Sequence, residues 1–416
     1  MIDRDAPPPA VAVVGGGAVG VTAAADLAAR GADVTLYERD DLGSGSSGRA
    51  AGVLYDAYAE DVDAAIAARS MERFRAFDRS LPGFAFTPCP YVLAVREGDE
   101  DADAVPAMID RMRTHGRAVT LVDPATLADR FPIAADDLAV AAVATNAGRC
   151  DPASYVAAMA DRARSEGVAI ETETPVRLSR DDDQLTVSRD DGRPTVRTRS
   201  AGDSVDASDR GRNDFDSVVV AAGAHTAALF DSVGVDVPVI PYRVQALVAA
   251  VSYDGPMVYD ATAGVYFRPH PAGLLAGDGT EPLAADPDGY DREADDWFVE
   301  SVTATLRERL ADAATDEDGP PVNRAWAGLC TATPDGDPLV GPIADIDGAF
   351  VAAGWQGHGF MRAPAVGEHV AEGVLASLSD DGPDEPWIDA FDPDRFEGDE
   401  TFDVRDGIAV ERRDEG

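Results

Sequence analysis

No lysine occurs anywhere in the 416 residues. All 35 basic residues are arginine, set against 77 aspartates and glutamates, for a formal net charge of −42. So sparse a basic complement excludes nucleic acid as a partner, because phosphate backbones need a net basic face. An anionic membrane surface would repel the chain for the same reason. Cysteine is also scarce. Cys89, Cys150 and Cys330 lie far apart with no CxxC pair, which leaves no disulfide framework and no metal site. No apolar run reaches the roughly 18 residues a membrane-spanning helix needs, so no transmembrane segment is expected. The first ten residues are polar and proline-rich, unlike a signal peptide. These absences point to a reduced, soluble, cytoplasmic protein.

Hydrophobic residues make up 45% of the chain, which fits a globular fold of two or three domains. The acidic excess reads as a solvated surface adapted to a salt-rich, halophilic cytoplasm, where screening removes self-repulsion.

The chain opens on strand, turn, helix, strand. Val11–Val14 is a short buried-strand pattern, an alanine-rich helix runs to about Arg30, and Asp33–Glu38 is a second strand. That order begins a parallel sheet. Residues 61–80 carry Ile66, Met71, Phe74 and Phe77 at helical spacing. Tyr91–Val95 reads as a strand. Asp123-Pro124 and Asp151-Pro152 are N-cap/N1 pairs that start helices, the second running to Glu166. A hairpin is expected from Leu185–Val187 and Thr195–Thr198, followed by a solvated loop to 214. Asp216–Ala221 is a hydrophobic strand. Val244–Val251, Val265–Arg268 and Leu274–Ala276 are further strands, and a helix fits 288–311. Cys330–Gly341 is rich in turn residues. Ala349–Ala353 is a strand and Phe360–Leu378 a helix.

Gly15-Gly16-Gly17-Ala18-Val19-Gly20 is a G-x-G-x-x-G turn with a strand before it and a helix after it. Gly15 permits the tight turn, Gly17 the approach of a pyrophosphate, and Gly20 the packing of helix on strand. The free N–H groups of the helix start, at Ala18 and Val19, favour phosphate. Glu38, at the end of the second strand, stands where ribose hydroxyls would be accepted. The nucleotide is NAD(P) or FAD on this evidence alone. Gly354-Trp355-Gln356-Gly357-His358-Gly359-Phe360 decides for FAD. It follows a strand and opens the last helix, whose N-terminus can stabilise charge on a reduced flavin.

Five stretches resemble the D-amino-acid oxidase/sarcosine oxidase superfamily of FAD enzymes, nearest the sarcosine oxidase β-subunit and dimethylglycine dehydrogenase branch. They are Val13–Gly20 with Leu36–Arg39, Ser46–Leu54, Val218–Thr226, Trp326–Gly341 and Gly354–Gly367. A late Phe391–Phe396 segment accompanies them. The resemblance implies an α/β plus α+β fold. A Rossmann-like FAD-binding domain (1–80, 146–236, 320–396) interleaves with a mainly antiparallel-sheet substrate domain (81–145, 237–319), and an acidic tail (397–416) ends the chain. It also implies roles. Arg39 belongs to the nucleotide strand end. Ser46, Ser47, Arg49, Ala50 and Gly52 would lie along the flavin or its phosphates. Val176 would sit beside the adenine, and Ala222 and Gly223 would pass close to the cofactor. Gly357, His358, Gly359, Phe360 and Met361 would hold the pyrimidine end of the isoalloxazine.

Some relatives attach flavin through a cysteine that corresponds to Gly328, so FAD is expected to be noncovalent here. Others place a carboxylate-binding arginine where this chain has Cys330. Another arginine is then needed, and Arg268 and Arg243 are the candidates. His270 and His225 are candidates for binding the substrate or tuning its amine. The family's oxidases commonly use a lysine to activate oxygen. Its absence favours a dehydrogenase, with the acceptor (oxygen, quinone or carrier flavoprotein) left open. The expected reaction oxidises the C–N bond of a small amine or amino acid by hydride transfer to flavin N5, and the imine is then hydrolysed. A hydroxy-acid or glycerol-phosphate dehydrogenase, or a noncatalytic FAD-bearing subunit, are the rival readings.

The charge reading has a direct test. Dialysis into low salt is expected to unfold the protein, followed by circular dichroism. An unchanged spectrum would show that the acidic surface is not salt-dependent.

Overall fold

A computed structural model describes residues 7–181, 184–189, 196–198, 214–277, 279–310, 319–379, 387–398, 400–402 and 404. Thr195 of the expected hairpin, the loop after it and most of the acidic tail lie outside the described residues.

The short valine- and alanine-rich segments form a six-stranded sheet. Its order is Leu339–Pro342, Ala349–Ala353, Ser217–Val220, Ala10–Val14, Asp33–Tyr37, Ala169–Glu171. All neighbours run parallel except Leu339–Pro342, which is antiparallel to Ala349–Ala353. Such strands are buried on both faces and so read as continuous apolar runs. Val11, Val13 and Val219 pack under the helices Ala18–Ala29, Pro152–Ser165 and Gly359–Ser377. Ala12, Val14, Val218 and Val220 face the other way, against Leu178, Leu185 and Val187. Those three belong to a small second sheet, in which Gln184–Arg189 pairs with Val176–Asp181 and with Val196–Thr198. The parallel order reverses between Ala10–Val14 and Ser217–Val220. That is the topological switch point, where open α/β sheets bind ligands.

Small residues let the helices approach closely. A Cβ at Gly367 of Gly359–Ser377 would meet Thr22 of Ala18–Ala29 at 2.6 Å. Pro364 lies inside the same helix, where it lacks the N–H of a regular turn. The helix Asp61–Ser80 bonds to the backbone around it. Its Ser70 Oγ donates to Arg362 O (3.1 Å) and accepts from Ala365 N (3.2 Å), and Arg73 donates to Pro364 O. Arg73 also pairs bidentately with Asp26 at 2.7 and 2.9 Å, and Arg162 reaches the same carboxylate at 3.1 Å. Asp26 is 1% exposed. One buried carboxylate thus ties three helices together.

The second body is an eight-stranded sheet, ordered Val322–Ala332, Ile240–Ala249, Gly273–Gly277, Val265–His270, Met257–Asp260, Tyr91–Arg96, Leu138–Ala144, Val119–Val122. Its pairings are antiparallel except that of Met257–Asp260 with Tyr91–Arg96. One face packs Leu247, Phe267 and Leu274 against Phe298, Val302 and Leu306 of helix Asp296–Arg309. Asp260, fully buried, accepts from Arg309 at 2.6 Å and Arg96 at 2.9 Å, which fixes helix to sheet.

Two local expectations change. The helix expected over 288–311 starts only at Asp296. The stretch before it is instead held as a loop by Arg243, which donates to the carbonyls of Asp291 and Glu293. The turn-rich reading of Cys330–Gly341 holds only for its middle. Cys330–Ala332 ends the eleven-residue strand Val322–Ala332, the edge strand of the eight-stranded sheet. Its partner Ile240–Ala249 lies far away in sequence, so nothing local announces it. Among the described residues, no helix is long and apolar enough to cross a membrane.

Replacing Asp26 by Ala would leave Arg73 buried without its charge partner. Breaking one side of a buried pair costs about 3–5 kcal/mol. Urea denaturation is expected to show a loss of that size, and a loss below about 1 kcal/mol would mean the pair behaves like a surface one.

Candidate active site

At the switch point the backbone leaves no room. Gly15 has φ +114°, and a Cβ there would strike the Ala221 carbonyl. A Cβ at Gly20 would likewise strike the Gly15 carbonyl. The turn therefore runs tightly between two strand ends, as a pyrophosphate cradle must. Ser47 Oγ, from the next loop, accepts from Ala18 N at 2.9 Å. Glu38 accepts from Gly16 N at 2.7 Å and Asp40 N at 2.9 Å, which holds its carboxylate beside the turn. The chain before Val176 runs along the same edge, with Thr174 N bonded to Glu38 O and Glu173 N to Asp40 O. Glu38 and the start of the strand at Val176 are thus brought to one end of the cradle.

Ser46, Ser47, Arg49, Ala50 and Gly52 leave the cradle toward the eight-stranded sheet. Ser46 Oγ donates to Leu329 O at 2.6 Å. Arg49 donates to the carbonyls of Ser44 and Gly45, and its side chain lies beside Gly328. Gly52, at φ +63°, abuts the Cys150 carbonyl. The loop Gly354–His358 approaches from the other side. Gln356 is buried and holds a left-handed φ of 44°, and its N–H donates to Thr331 O at 2.8 Å. This strain positions the start of helix Gly359–Ser377, whose N-cap His358 makes no side-chain cap bond. Phe360 is different. Its ring packs in the core near Tyr155 and Phe74, at 5.5 and 6.1 Å, so only its backbone can serve a cofactor.

Strand register shows what faces this cradle. Residues opposite one another across a ladder share a face, as do alternate residues along a strand. Tyr259 lies opposite Tyr266, Tyr266 opposite Gly277, and Arg268 opposite Leu275. Met257 lies opposite Tyr91, Val244 opposite Gly328, and Tyr242 opposite Cys330. Gly328 meets Arg49, and Arg268 Nε donates to Ala51 O. Tyr266, Arg268 and His270 therefore point across the cleft at the cofactor loops.

The cleft has an aromatic end and a cationic end. Tyr55 stacks on Tyr91 at 4.4 Å and on Tyr58 at 5.4 Å, and Tyr259 and Tyr266 adjoin them. His358 stands edge-on to Tyr58 at 5.8 Å, and the Tyr58 hydroxyl donates to Met361 Sδ at 3.1 Å. Burial raises the Tyr55 and Tyr58 phenols above the usual range. At the other end, Arg268 is buried and donates to the carbonyls of Ala51 and Pro269 (the latter at 2.8 Å). Burial and the nearby Arg149 lower its pKa, though a guanidinium stays protonated. Burial first, then Arg268 and Arg149, also lower His270. His270 Nδ1 accepts from Ala272 N at 3.1 Å, so the neutral ring carries its proton on Nε2.

The other two candidates lie elsewhere. Arg243 pairs with Glu281 and with Asp295 at 2.6 Å, and its remaining donors hold backbone carbonyls. It has no donor left for a substrate carboxylate. His225 joins Arg39 at 2.8 Å and Asp288 at 3.1 Å at the nucleotide end, away from Arg268. The five tyrosines and Arg149 were missed in the sequence. Alternation in Val265-Tyr266-Phe267-Arg268-Pro269-His270 could have placed Tyr266, since every second residue there is polar. Tyr55, Tyr58 and Arg149 carry no such signal.

A glycine-turn cradle at the switch point, with loops that reach the eight-stranded sheet, fits a flavin-dependent oxidoreductase. Residues 10–373 match the DAO model, "FAD dependent oxidoreductase", and the chain belongs to that family. It is 26% identical to glycine oxidase of Geobacillus kaustophilus over 373 residues, 87% of this chain and 92% of that protein. It is 27% identical to 4-methylaminobutanoate oxidase (formaldehyde-forming) of Paenarthrobacter nicotinovorans, covering 93% of this chain but only 45% of that longer protein. Matches to two other glycine oxidases span 42% and 59% of their lengths. The crystal structure of L-proline dehydrogenase from P. horikoshii superposes with a TM-score of 0.76 at 25% identity, covering 93% of this chain and 97% of that one.

Gly15→Ala would drive a Cβ into the Ala221 carbonyl. The purified variant is expected to carry less than a tenth of the wild-type flavin per chain, read from the visible absorbance. Full flavin content would show that the turn has slack that the geometry denies.

Proposed function

We propose that the protein oxidises the C–N bond of a small amine bearing a carboxylate, such as an amino acid or N-alkyl amino acid. One observation carries this reading. Of the five buried arginines, Arg73, Arg243, Arg309 and Arg362 each pair with a carboxylate, and Arg268 alone has none among the described residues. Arg268 also faces the cofactor loops. A buried guanidinium without an anion is costly, and a substrate carboxylate would supply one bidentately. Relatives whose names record glycine or 4-methylaminobutanoate oxidation support it.

The chain's own residues then have defined tasks. Arg268 fixes the carboxylate and so the direction of the scissile C–H bond. The rings of Tyr55, Tyr58, Tyr91, Tyr259 and Tyr266 exclude water around the amine. The nearby guanidinium charge disfavours the ammonium and so favours the neutral amine. The Nε2 proton of His270 is placed to hydrogen-bond the substrate. Bound FAD supplies the two-electron acceptor for the hydride. The FAD would be held by Gly15, Gly17, Ala18, Val19, Gly20, Glu38, Ser47 and the Gly357–Met361 helix start, with Gly328 offering no atom for a covalent link. The resulting imine is hydrolysed to a carbonyl compound and an amine. A chain without lysine supports electron transfer to a carrier rather than directly to oxygen. Its acidic surface and three cysteines, none of them in a disulfide among the described residues, support a cytoplasmic setting rich in salt.

Anaerobic mixing with glycine, sarcosine, dimethylglycine, proline and D-amino acids tests the reading. At least one is expected to bleach the flavin band, with dye reduction faster than oxygen uptake on readmitting an acceptor. Bleaching by hydroxy acids alone would sink it. Arg268→Gln removes a buried charge-assisted pair worth about 2–5 kcal/mol, so KM should rise roughly 30-fold or more. Arg243→Gln should instead lower thermal stability, and an increase in KM there would restore it to the site.

A further inference from the structure

Arg268 has company at its end of the cleft. The strand Ala147–Arg149 pairs antiparallel with Val53–Tyr55, placing Arg149 opposite Val53 and Ala147 opposite Tyr55. Ala147, Arg149, Val53 and Tyr55 therefore share a face. Ala147 and Tyr55 pack with Tyr91 and Tyr259 of the eight-stranded sheet, so Arg149 is turned toward that sheet. Arg268 comes from the sheet to meet it. Arg268 donates to Ala51 O, and the next residue, Gly52, accepts from Cys150 N at 3.1 Å. Arg149 immediately precedes Cys150. The two guanidiniums thus enter one space from opposite walls.

Neither has a carboxylate partner among the described residues, in a chain with 77 acidic side chains. The nearest acid in sequence, Asp151, caps its helix through Ser154 N and forms no ion pair with either arginine, though its charge partly offsets theirs at Arg268 and His270. Two like charges facing each other in a partly desolvated space repel: after burial, Arg149 is the next cause that lowers Arg268, and both arginines help lower His270. One carboxylate would neutralise one of them and leave the other. The remainder of the cleft is built of stacked tyrosine rings, which suit an N-alkyl amine better than a polyol.

We propose that the substrate carries two carboxylates, an N-alkyl amino dicarboxylic acid, with one carboxylate on Arg268 and the second on Arg149. This rests on the amine oxidation proposed above and narrows its substrate class. A polyol phosphate would offer the same two guanidiniums a single dianionic group, and the experiment separates the two.

The test compares rates of anaerobic flavin bleaching in the holoenzyme at constant ionic strength. The compounds are sarcosine and proline, then iminodiacetate and N-methylaspartate, then glycerol 3-phosphate. The dicarboxylates are expected to exceed the monocarboxylates at least ten-fold in apparent second-order rate. Arg149→Gln should collapse that ratio toward one, with flavin content and Tm recorded as controls for folding. Arg149→Lys should restore part of the ratio. Monocarboxylates that react as well as dicarboxylates overturn the proposal and leave the amine reading intact. So does an Arg149→Gln variant that slows both classes equally, or a preference for glycerol 3-phosphate. Bleaching by no amine at all removes the function and the inference together. Should Arg149→Gln fail to fold, competitive inhibition of the wild-type enzyme decides: malonate must bind at least ten-fold more tightly than acetate, and equal binding refutes the second carboxylate site.

Discussion

The pairing of a buried guanidinium with a buried carboxylate is the interaction on which this molecule depends. Desolvating either ion alone costs several kcal/mol, so each buried arginine must find its acid for the elements around it to pack. Asp26 with Arg73 and Arg162 joins three helices over the parallel sheet. Asp260 with Arg309 and Arg96 holds the outer helix to the eight-stranded sheet. Arg243 gathers the loop before that helix, and Arg362 pins the last helix to Asp63 at 2.9 Å. Without lysine, every such junction uses the planar, forked group, which can hold two or three partners at once. Arg268 breaks the pattern, and it does so in the cleft. That is the place where the proposed substrate carboxylate would complete it.

The second constraint is steric. Gly15 and Gly20 bring backbone against backbone at the end of the parallel sheet, Gly52 does the same against the Cys150 carbonyl, and Gly328 leaves room for the Arg49 side chain. Gln356 adds a strained residue at the start of the last helix, consistent with a helix end that must be aimed rather than merely formed. Tyrosines line one end of the space between these elements and Arg268 the other. In the proposed reading, an amine would sit between them.

Much of this was legible from residues alone because it is local. A glycine turn between a strand and a helix needs no distant partner, so the cradle at Gly15–Gly20 and Glu38 could be read directly. The same holds for Asp123-Pro124 and Asp151-Pro152, where the carboxylate caps a helix three residues on, at Thr126 N and Ser154 N. The helix expected from 288 failed at its start because Arg243, 52 residues before Asp295, takes the backbone and side chains of that segment. His225 looked like a site residue by its motif, yet Arg39 and Asp288 claim it at the nucleotide end.

The sequence by itself determined the cofactor, the charge and the order of the main elements, since each follows from spacing and composition. Only the tertiary structure decided which arginines are free. A guanidinium is neutralised by whatever acid folding brings within about 4 Å, and for Arg243, Arg309 and Arg362 that acid is distant in sequence. The juxtaposition of Arg149 and Arg268 has the same origin. They lie on separate strands of separate sheets, and only the packing of one sheet across the other brings two unpaired positive charges into a single cleft.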